Sequence, residues 1–406
     1  MLAALLVILV IARIVGGLFA RYGQSAVLGE LLAGVVMGNL GLLGVDTFEA
    51  FRTMPVLEIL AQFGVLILLF AVGFESDLGK MAAVGVSSFA VAVLGVAAPM
   101  ALGYYVSRTF FPSQGLLADW FVGATLCATS VGITARVLSD LRKTDSREGR
   151  IILGAAVIDD VLGLLVLAVM SGLIEAMNRG VAFETITVLV ILGKAIAFLV
   201  VATLMGRWLS PRVFQLAARL QGDGLVLTVA LLFCFGFAYV AAMAGLAPIV
   251  GAFAAGLVLD KTHYRQLRER DPGRQELTDM LNPLATFLVP IFFVLMGMRV
   301  DLAVFGHVEI LGFAAVLTIV AILGKQVCAL GVFERGTDRW AVGLGMIPRG
   351  EVGLIFASIG ATLTIAGEPV VSEEVYSAVV VMVALTTFLT PPLLTWRLGD
   401  KQQTSP

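Results

Sequence analysis

The sequence predicts an all-α membrane protein of thirteen transmembrane helices, built as an inverted repeat with two interrupted helices. Three observations carry that prediction. The 406 residues are 59% hydrophobic and only 14% charged, with a mean hydropathy of +0.99; a soluble domain carries about 25% charged residues. Lysine and arginine gather on one side of the predicted membrane. Two short motifs recur in order at nearly one offset.

Apolar runs long enough to cross a bilayer as helices occupy 2–20, 26–43, 56–74, 82–111, 118–141, 150–176, 182–206, 223–242, 245–260, 280–298, 303–332, 340–365 and 374–396. The first lacks a basic leader and is long for a signal peptide, so it reads as a membrane helix. The longest polar stretch, about 260–279, leaves no room for a soluble domain. Cys127, Cys234 and Cys328 are odd in number and far apart, which argues against a disulfide framework.

Orientation follows from the basic residues in the loops. With the N-terminus outside, the inner loops and tail hold 18 of them: Arg21, Lys80, Arg142, Lys143, Arg147, Arg150, Arg207, Arg212, Arg219, Lys261, Arg265, Arg268, Arg270, Arg274, Arg335, Arg339, Arg397 and Lys401. The outer side holds 4, namely Arg52, Arg108, Arg179 and Arg299. One helix too many or too few would scramble this bias. The expected location is the cell inner membrane, with a cytoplasmic C-terminus.

Gly29–Gly34 aligns with Gly251–Gly256 at an offset of 222, and Gly73–Leu78 with Gly297–Leu302 at 224. The offset spans seven helices. An odd number means that the second copy crosses in the opposite sense, the inverted repeat of secondary transporters, which place substrate near the midplane on broken helices. Two stretches fit such breaks. In Cys127–Arg136 the helix is weakened by Thr129, Ser130 and Gly132. In Gly345–Gly353, Pro348 removes a donor and clashes with the preceding turn. Subtracting 222 from 348 gives 126, so the two are counterparts. Kinks with glycines for close packing are the plainer alternative.

Ile151–Met170 is a twenty-residue apolar run whose only charges are Asp159 and Asp160, at its centre. One carboxylate there costs roughly 3 kcal/mol on insertion scales, and the default reading is an ion or proton site. Lys325, mid-span, is the deepest cation and the obvious partner for one of the two. Successive helix residues point about 100° apart, so one acid can pair while the other faces a wet cavity. Oxygens of a carboxylate, hydroxyls and carbonyls suit a hard cation such as Na+; a protonated carboxyl does not. Competition of cation and proton for one site, with alternating access, is exchange. If Lys325 also releases a proton, two protons move per cation and exchange is electrogenic, worth about 2.3 kcal/mol per net charge per 100 mV.

Plainer readings stand beside these. A buried Asp–Lys pair can be structural, which leaves Asp160 unexplained. Arg349 and Glu351 can serve only to neutralise a broken helix. Arg13 and Lys194 snorkel or line a subunit contact. An intramembrane aspartyl protease would need two acids sharing a proton across a gap, and neighbours on one helix point apart. A channel would use rings or filter loops rather than one deep site with a countercation. Nothing calls for a cofactor or for nucleic acid.

Gln24–Gly34, Ala128–Arg136, Gly154–Gly163, Pro290–Phe293 and Pro348–Gly353 together resemble the cation:proton antiporter-2 family, most closely its bacterial Na+/H+ antiporters of the NapA type. The resemblance covers nearly the whole chain. It implies the NhaA/NapA-like fold with crossing interrupted helices, and a homodimer. It also implies a dimerisation domain of 1–80 and 223–302, a core of 82–176 and 303–398 that moves like an elevator, and a linker helix at 182–206. Asp160 would carry Na+ or Li+ and protons, Thr129 and Ser130 would line the site, and Asp159 would pair with Lys325 in one state. Asp-Asp resembles the electrogenic branch. K+/H+ exchange stays open, because the sequence does not set cation size. Asn39 departs from the proline common in relatives.

Overall fold

The computed structural model describes residues 2–22, 24–44, 48–75, 85–180, 185–219, 225–259, 277–365 and 367–399. Its principal helices are α1 Leu2–Arg21, α2 Ala26–Gly38, α3 Pro55–Glu75, α4 Val86–Phe110, α5 Leu116–Thr125, α6 Val131–Asp140, α7 Arg147–Asn178 and α8 Thr185–Arg219. They continue as α9 Leu225–Met243, α10 Pro248–Val258, α11 Leu277–Met298, α12 Val308–Val327, α13 Arg339–Gly345, α14 Glu351–Thr362 and α15 Glu373–Leu398. A two-stranded hairpin, Thr364–Ile365 with Glu368–Pro369, follows α14. Among the described residues nine helices are long and apolar enough to cross a membrane, and α2, α5, α10 and α14 supply shorter apolar segments. The predicted spans 118–141 and 340–365 are each two helices with an unwound stretch between them, as α5–α6 and α13–α14.

Local chemistry explains several helix ends. Ser372 caps α15 by accepting from the Val375 N–H at 3.4 Å, with Glu373 and Glu374 in the first turn where the helix dipole favours acids. Pro248 opens α10 at a position where its missing N–H costs nothing. The start of α12 is delayed to Val308 by a short 3-10 turn at Ala303–Gly306. Residues 182–184 of the predicted seventh span and 82–84 of the fourth lie outside the described residues.

The chain divides into two compact units. One comprises Met1–Arg13, Glu49–Gly79 and Leu167–Leu295; the other comprises Ile14–Phe48, Lys80–Val166 and Met296–Pro406. The first packs Phe70, Phe74, Phe233, Leu277 and Leu281 into its core. The second packs Val91, Leu138, Ile152, Cys328, Val342 and Leu394. All three cysteines are free and buried.

Lipid is as apolar as leucine, so membrane helices associate through close backbone contact at small residues. The repeated glycines do this. In the first unit a Cβ on Gly256 would lie 2.2 Å from Phe70 O and 2.9 Å from Gly73 C. In the second, a Cβ on Gly297 would lie 2.1 Å from Leu31 O and 2.9 Å from Gly34 Cα. Gly34 and Gly256 are repeat counterparts, as are Gly73 and Gly297. Each copy's first glycine therefore meets the other copy's second, and the two repeats are interlaced. Asn39 fastens the second of these contacts: its amide donates to Val35 O and Val300 O and accepts from the Leu302 N–H, each at 2.8 Å. A proline there would make none of these three bonds.

Candidate ion-binding site

The acid doublet lies on α7. Asp159 is 0% exposed and Asp160 is 9% exposed. Lys325, also 0% exposed, lies in the last turn of α12, where a cation complements the helix's carbonyl end. Its Nζ donates to Asp159 Oδ1 at 3.0 Å and to Oδ2 at 3.3 Å. Room for the ammonium comes from α4: a Cβ on Gly95 would stand 3.4 Å from Lys325 Nζ. A few residues along, Gly324 lies against Pro99, to which its Cβ would come within 2.9 Å. Two small or constrained positions on facing helices thus let the lysine reach its acid.

The two breaks are built alike. Helix α5 tightens at its end, with Leu126 N–H donating to Gly123 O and Cys127 N–H to Ala124 O, both at 3.1 Å. Helix α13 ends the same way, with Met346 N–H to Gly343 O at 3.1 Å and Ile347 N–H to Leu344 O at 3.2 Å. Short i to i+3 bonds of this kind satisfy some terminal carbonyls and leave others needing partners.

Those partners come from the opposite break. Ser130 N–H donates to Pro348 O at 2.8 Å. Thr129 Oγ1 donates to Met346 O at 3.4 Å, and Thr134 Oγ1 to Gly345 O at 2.6 Å. Gly350 is where the two chains touch: a Cβ there would lie 2.6 Å from Ser130 Cβ and Oγ. The unwound stretches therefore cross at Ser130 and Gly350, and new helices, α6 and α14, begin immediately beyond.

Arg349 is 0% exposed. Its guanidinium donates to Met346 O at 3.3 Å, Ile347 O at 3.1 Å and Ala321 O at 3.1 Å. It gathers the free carbonyl end of α13 and ties it to α12 one turn before Lys325. Thr387 on α15 donates to the Arg349 carbonyl. One helix, α12, thus bears both the ammonium that meets Asp159 and the carbonyl that holds the second break. Gly132 and Glu351 stand in the first turns of α6 and α14; their side-chain positions, with that of Arg136, lie outside the described residues.

Several contributors escape the sequence. Thr134 lies inside the quoted motif, and its hydroxyl was its only signal. Thr387 and Gly95 carry no sequence signal for this site. Asp119, buried in α5, accepts from Ser107 Oγ at 2.7 Å, and Arg108 Nη1 stands 3.6 Å from its other oxygen. Outside the apolar layer, Asp338 caps α13 from Ala341 N–H at 3.2 Å and pairs with Arg397, 2.6 Å away. Glu148 Oε1 accepts from the Asp338 N–H at 2.9 Å. Partial burial pushes the Asp338 carboxyl up, but the Arg397 hydrogen bond, backbone N–H donors and the Arg397 charge together carry it below its ordinary value.

A helical membrane protein with a buried acid–ammonium pair and two crossing helix breaks has the layout of a secondary transporter. The chain belongs to the sodium/hydrogen exchanger family: the family model described as "Sodium/hydrogen exchanger, transmembrane" matches residues 6–398. It is 36% identical to the high-affinity Na+/H+ antiporter NhaS3 of Synechocystis sp., over 97% of this chain and 88% of that protein. It is 33% identical to the Na+/H+-K+ antiporter GerN of Bacillus cereus, over 98% and 96%. In fold it is similar to the sodium proton antiporter MjNhaP1 of Methanocaldococcus jannaschii, with a TM-score of 0.73 at 16% identity, covering 98% of this chain and 99% of that one. The family is one of cation/proton antiporters, not of enzymes.

Proposed function

We propose that this chain exchanges Na+ or Li+ for H+ across the membrane, with Asp160 as the carrier that binds cation and proton in turn. The observation that supports this reading is the inequality of the two acids. Asp159 is engaged by Lys325 at 3.0 Å, while its neighbour, about 100° around the helix, keeps 9% exposure. Hydroxyls of Thr129 and Ser130 and freed carbonyls at the crossing are the hard oxygen donors that a small cation prefers. A carboxylate binds the cation and a carboxylic acid does not, so the two substrates compete.

In this reading the Asp159–Lys325 pair opens as Na+ binds, Lys325 gives up a proton, and exchange is electrogenic. Residues 82–176 and 303–398 form the moving core of an elevator. Residues 1–80 and 223–302 form the dimerisation scaffold of a homodimer, and 182–206 links them. In this reading thirteen crossings put the two termini on opposite sides of the cell inner membrane, and the bias of lysine and arginine in the loops makes the N-terminus the outer one and the C-terminus cytoplasmic. K+ is a second candidate cation, favoured by the GerN relative, whose name carries both ions.

The test is a proteoliposome with an imposed pH gradient and a dye that reports it. A pulse of Na+ should release the gradient for the wild type and leave it intact for Asp160→Asn. Exchange retained in Asp160→Asn would remove Asp160 as carrier. The same assay with Li+ and K+ pulses ranks the cations.

A further inference from the structure

We propose that Gln326 holds the water through which the Lys325 proton leaves, toward the loop that joins α12 to α13. The proposal rests on the functional reading above, in which Lys325 gives up a proton as Na+ binds. A proton passes only between groups within hydrogen-bond reach or joined by a water, and this ammonium is 0% exposed.

Most sides of the lysine offer no way out. Asp159 accepts from it at 3.0 Å but is itself 0% exposed. Toward α4 stand Gly95 and Pro99, which bring no polar side chain. Helix α15 also packs on α12, but its threonine hydroxyls are engaged. Thr386 and Thr390 donate to Met382 O and Thr386 O at 2.8 and 2.7 Å, and Thr387 donates to the Arg349 carbonyl. Of the other groups whose charge is felt at Lys325, the Arg349 guanidinium has no acceptor and the Cys328 thiol is a weak one.

The remaining side is α13. Gln326 follows Lys325 on α12, about 100° further round, and its amide lies against Gly343. A Cβ on that glycine would stand 2.9 Å from Gln326 Cδ and 3.1 Å from Nε2. Both amide atoms, Oε1 and Nε2, are buried with no hydrogen-bond partner among the described residues. An amide has two N–H donors and an acceptor. Bare polar groups of this kind are costly in an apolar layer and bind ordered water. Gly343 is four residues beyond Arg339, the start of α13, or about 6 Å along the helix. Just before that start, Thr337 Oγ1 is a second buried polar atom with no partner among the described residues. Next to it, Asp338 and its partner Arg397 are partly exposed. The unpartnered groups thus run one way, from Gln326 beside the lysine to Thr337 at the loop. In the step itself a Lys325 N–H bond breaks and an O–H bond forms on the water held by Gln326. That water passes a proton on toward Thr337, and the lysine is left neutral beside Asp159. The amide gains and loses no proton, so Gln326 is a positioning residue.

The experiment uses the full-length protein in proteoliposomes, with Na+-driven exchange rates measured in H2O and in D2O. Thermal melting with and without Na+ is measured in detergent. Gln326→Leu puts an apolar side chain of similar size in place of the amide. Its exchange rate should fall about tenfold, the effect of losing one hydrogen bond to a charged group. Its ratio of rates in H2O and D2O should rise above that of the wild type, while its stabilisation by Na+ stays the same. Gln326→Ser, with a hydroxyl and room for a water, should recover most of the lost rate. The proposal is overturned if Gln326→Leu exchanges at the wild-type rate, slows with an unchanged isotope ratio, or loses the stabilisation by Na+. It is also overturned if Gln326→Ser is as slow as Gln326→Leu. Failure of the functional reading looks different: the wild type itself would move no protons on addition of Na+, and both readings would fall together.

Discussion

Replacing Lys325 with methionine isolates the energetic weight of the pair at the centre of the site. Asp159 and Lys325 are both 0% exposed, so neither solvent nor salt screens them, and the bond is doubly made at 3.0 and 3.3 Å. Methionine keeps the length of the side chain and removes its charge, leaving Asp159 as an uncompensated buried carboxylate. Breaking such a pair from one side costs about 3–5 kcal/mol. At about 2 °C per kcal/mol for a large chain, the melting temperature should fall by roughly 6–10 °C. Asp159→Asn alone should also lower it, by stranding the ammonium. The double variant, Asp159→Asn with Lys325→Met, carries neither stranded charge and should recover most of the loss, because replacing both partners of a buried pair is often neutral. The assay is thermal unfolding of all four proteins in one detergent, read as a double-mutant cycle. The reasoning is refuted if Lys325→Met melts within about 1 °C of the wild type, a shift too small for a broken buried pair. It is equally refuted if the double variant loses the sum of the single losses.

Two further outcomes follow from geometry described above. Gly256→Ala and Gly297→Ala would push a methyl into backbone atoms at 2.2 and 2.1 Å and should lower the melting temperature or the yield of folded protein, as overpacking costs about 1–3 kcal/mol. Gly17→Ala and Gly236→Ala, where a Cβ meets nothing within 4 Å, should leave melting unchanged or raise it slightly, and equal losses in both sets would discredit the interlaced contacts. Asp338 has its carboxyl lowered from an ordinary 3.8 in the folded protein. Its contribution is therefore present above pH of about 4 and lost as pH falls through the lowered folded value. Melting temperatures measured from pH 5 down to 3 should fall more steeply for the wild type than for Asp338→Asn, and parallel curves would contradict this.

Much of the architecture was legible because the bilayer imposes it. Twenty apolar residues in a row have few alternatives, and Pro348 cannot sit within an unbroken helix, so the spans and the second break follow from local rules. The first break was legible through Thr129, Ser130 and Gly132, residues that weaken a helix together. What stayed hidden depends on distant backbone. Arg349 reads in sequence as one more cation near a break; that it gathers three carbonyls, one of them from Ala321 on another helix, follows only from how the chain packs. Thr387 and Gly95 act across helices that nothing in their own neighbourhoods identifies. The repeat was visible as two aligned motifs, yet alignment says which positions correspond, not which touch. Gly34 corresponds to Gly256 and packs on Gly297. The continuation of α8 to Arg219, well beyond the predicted 206, was missed because Arg207, Ser210, Pro211 and Arg212 interrupt the apolar run that marked the span.

The cross-wise meeting of those glycines bears on ancestry and assembly. A half-length forebear, one copy of the repeat, would have had no mate for either glycine within its own chain. As a separate chain it could close these contacts only by borrowing helices from the other copy. The same logic applies to synthesis: the glycine faces of the first half have no mate until the second half has been made.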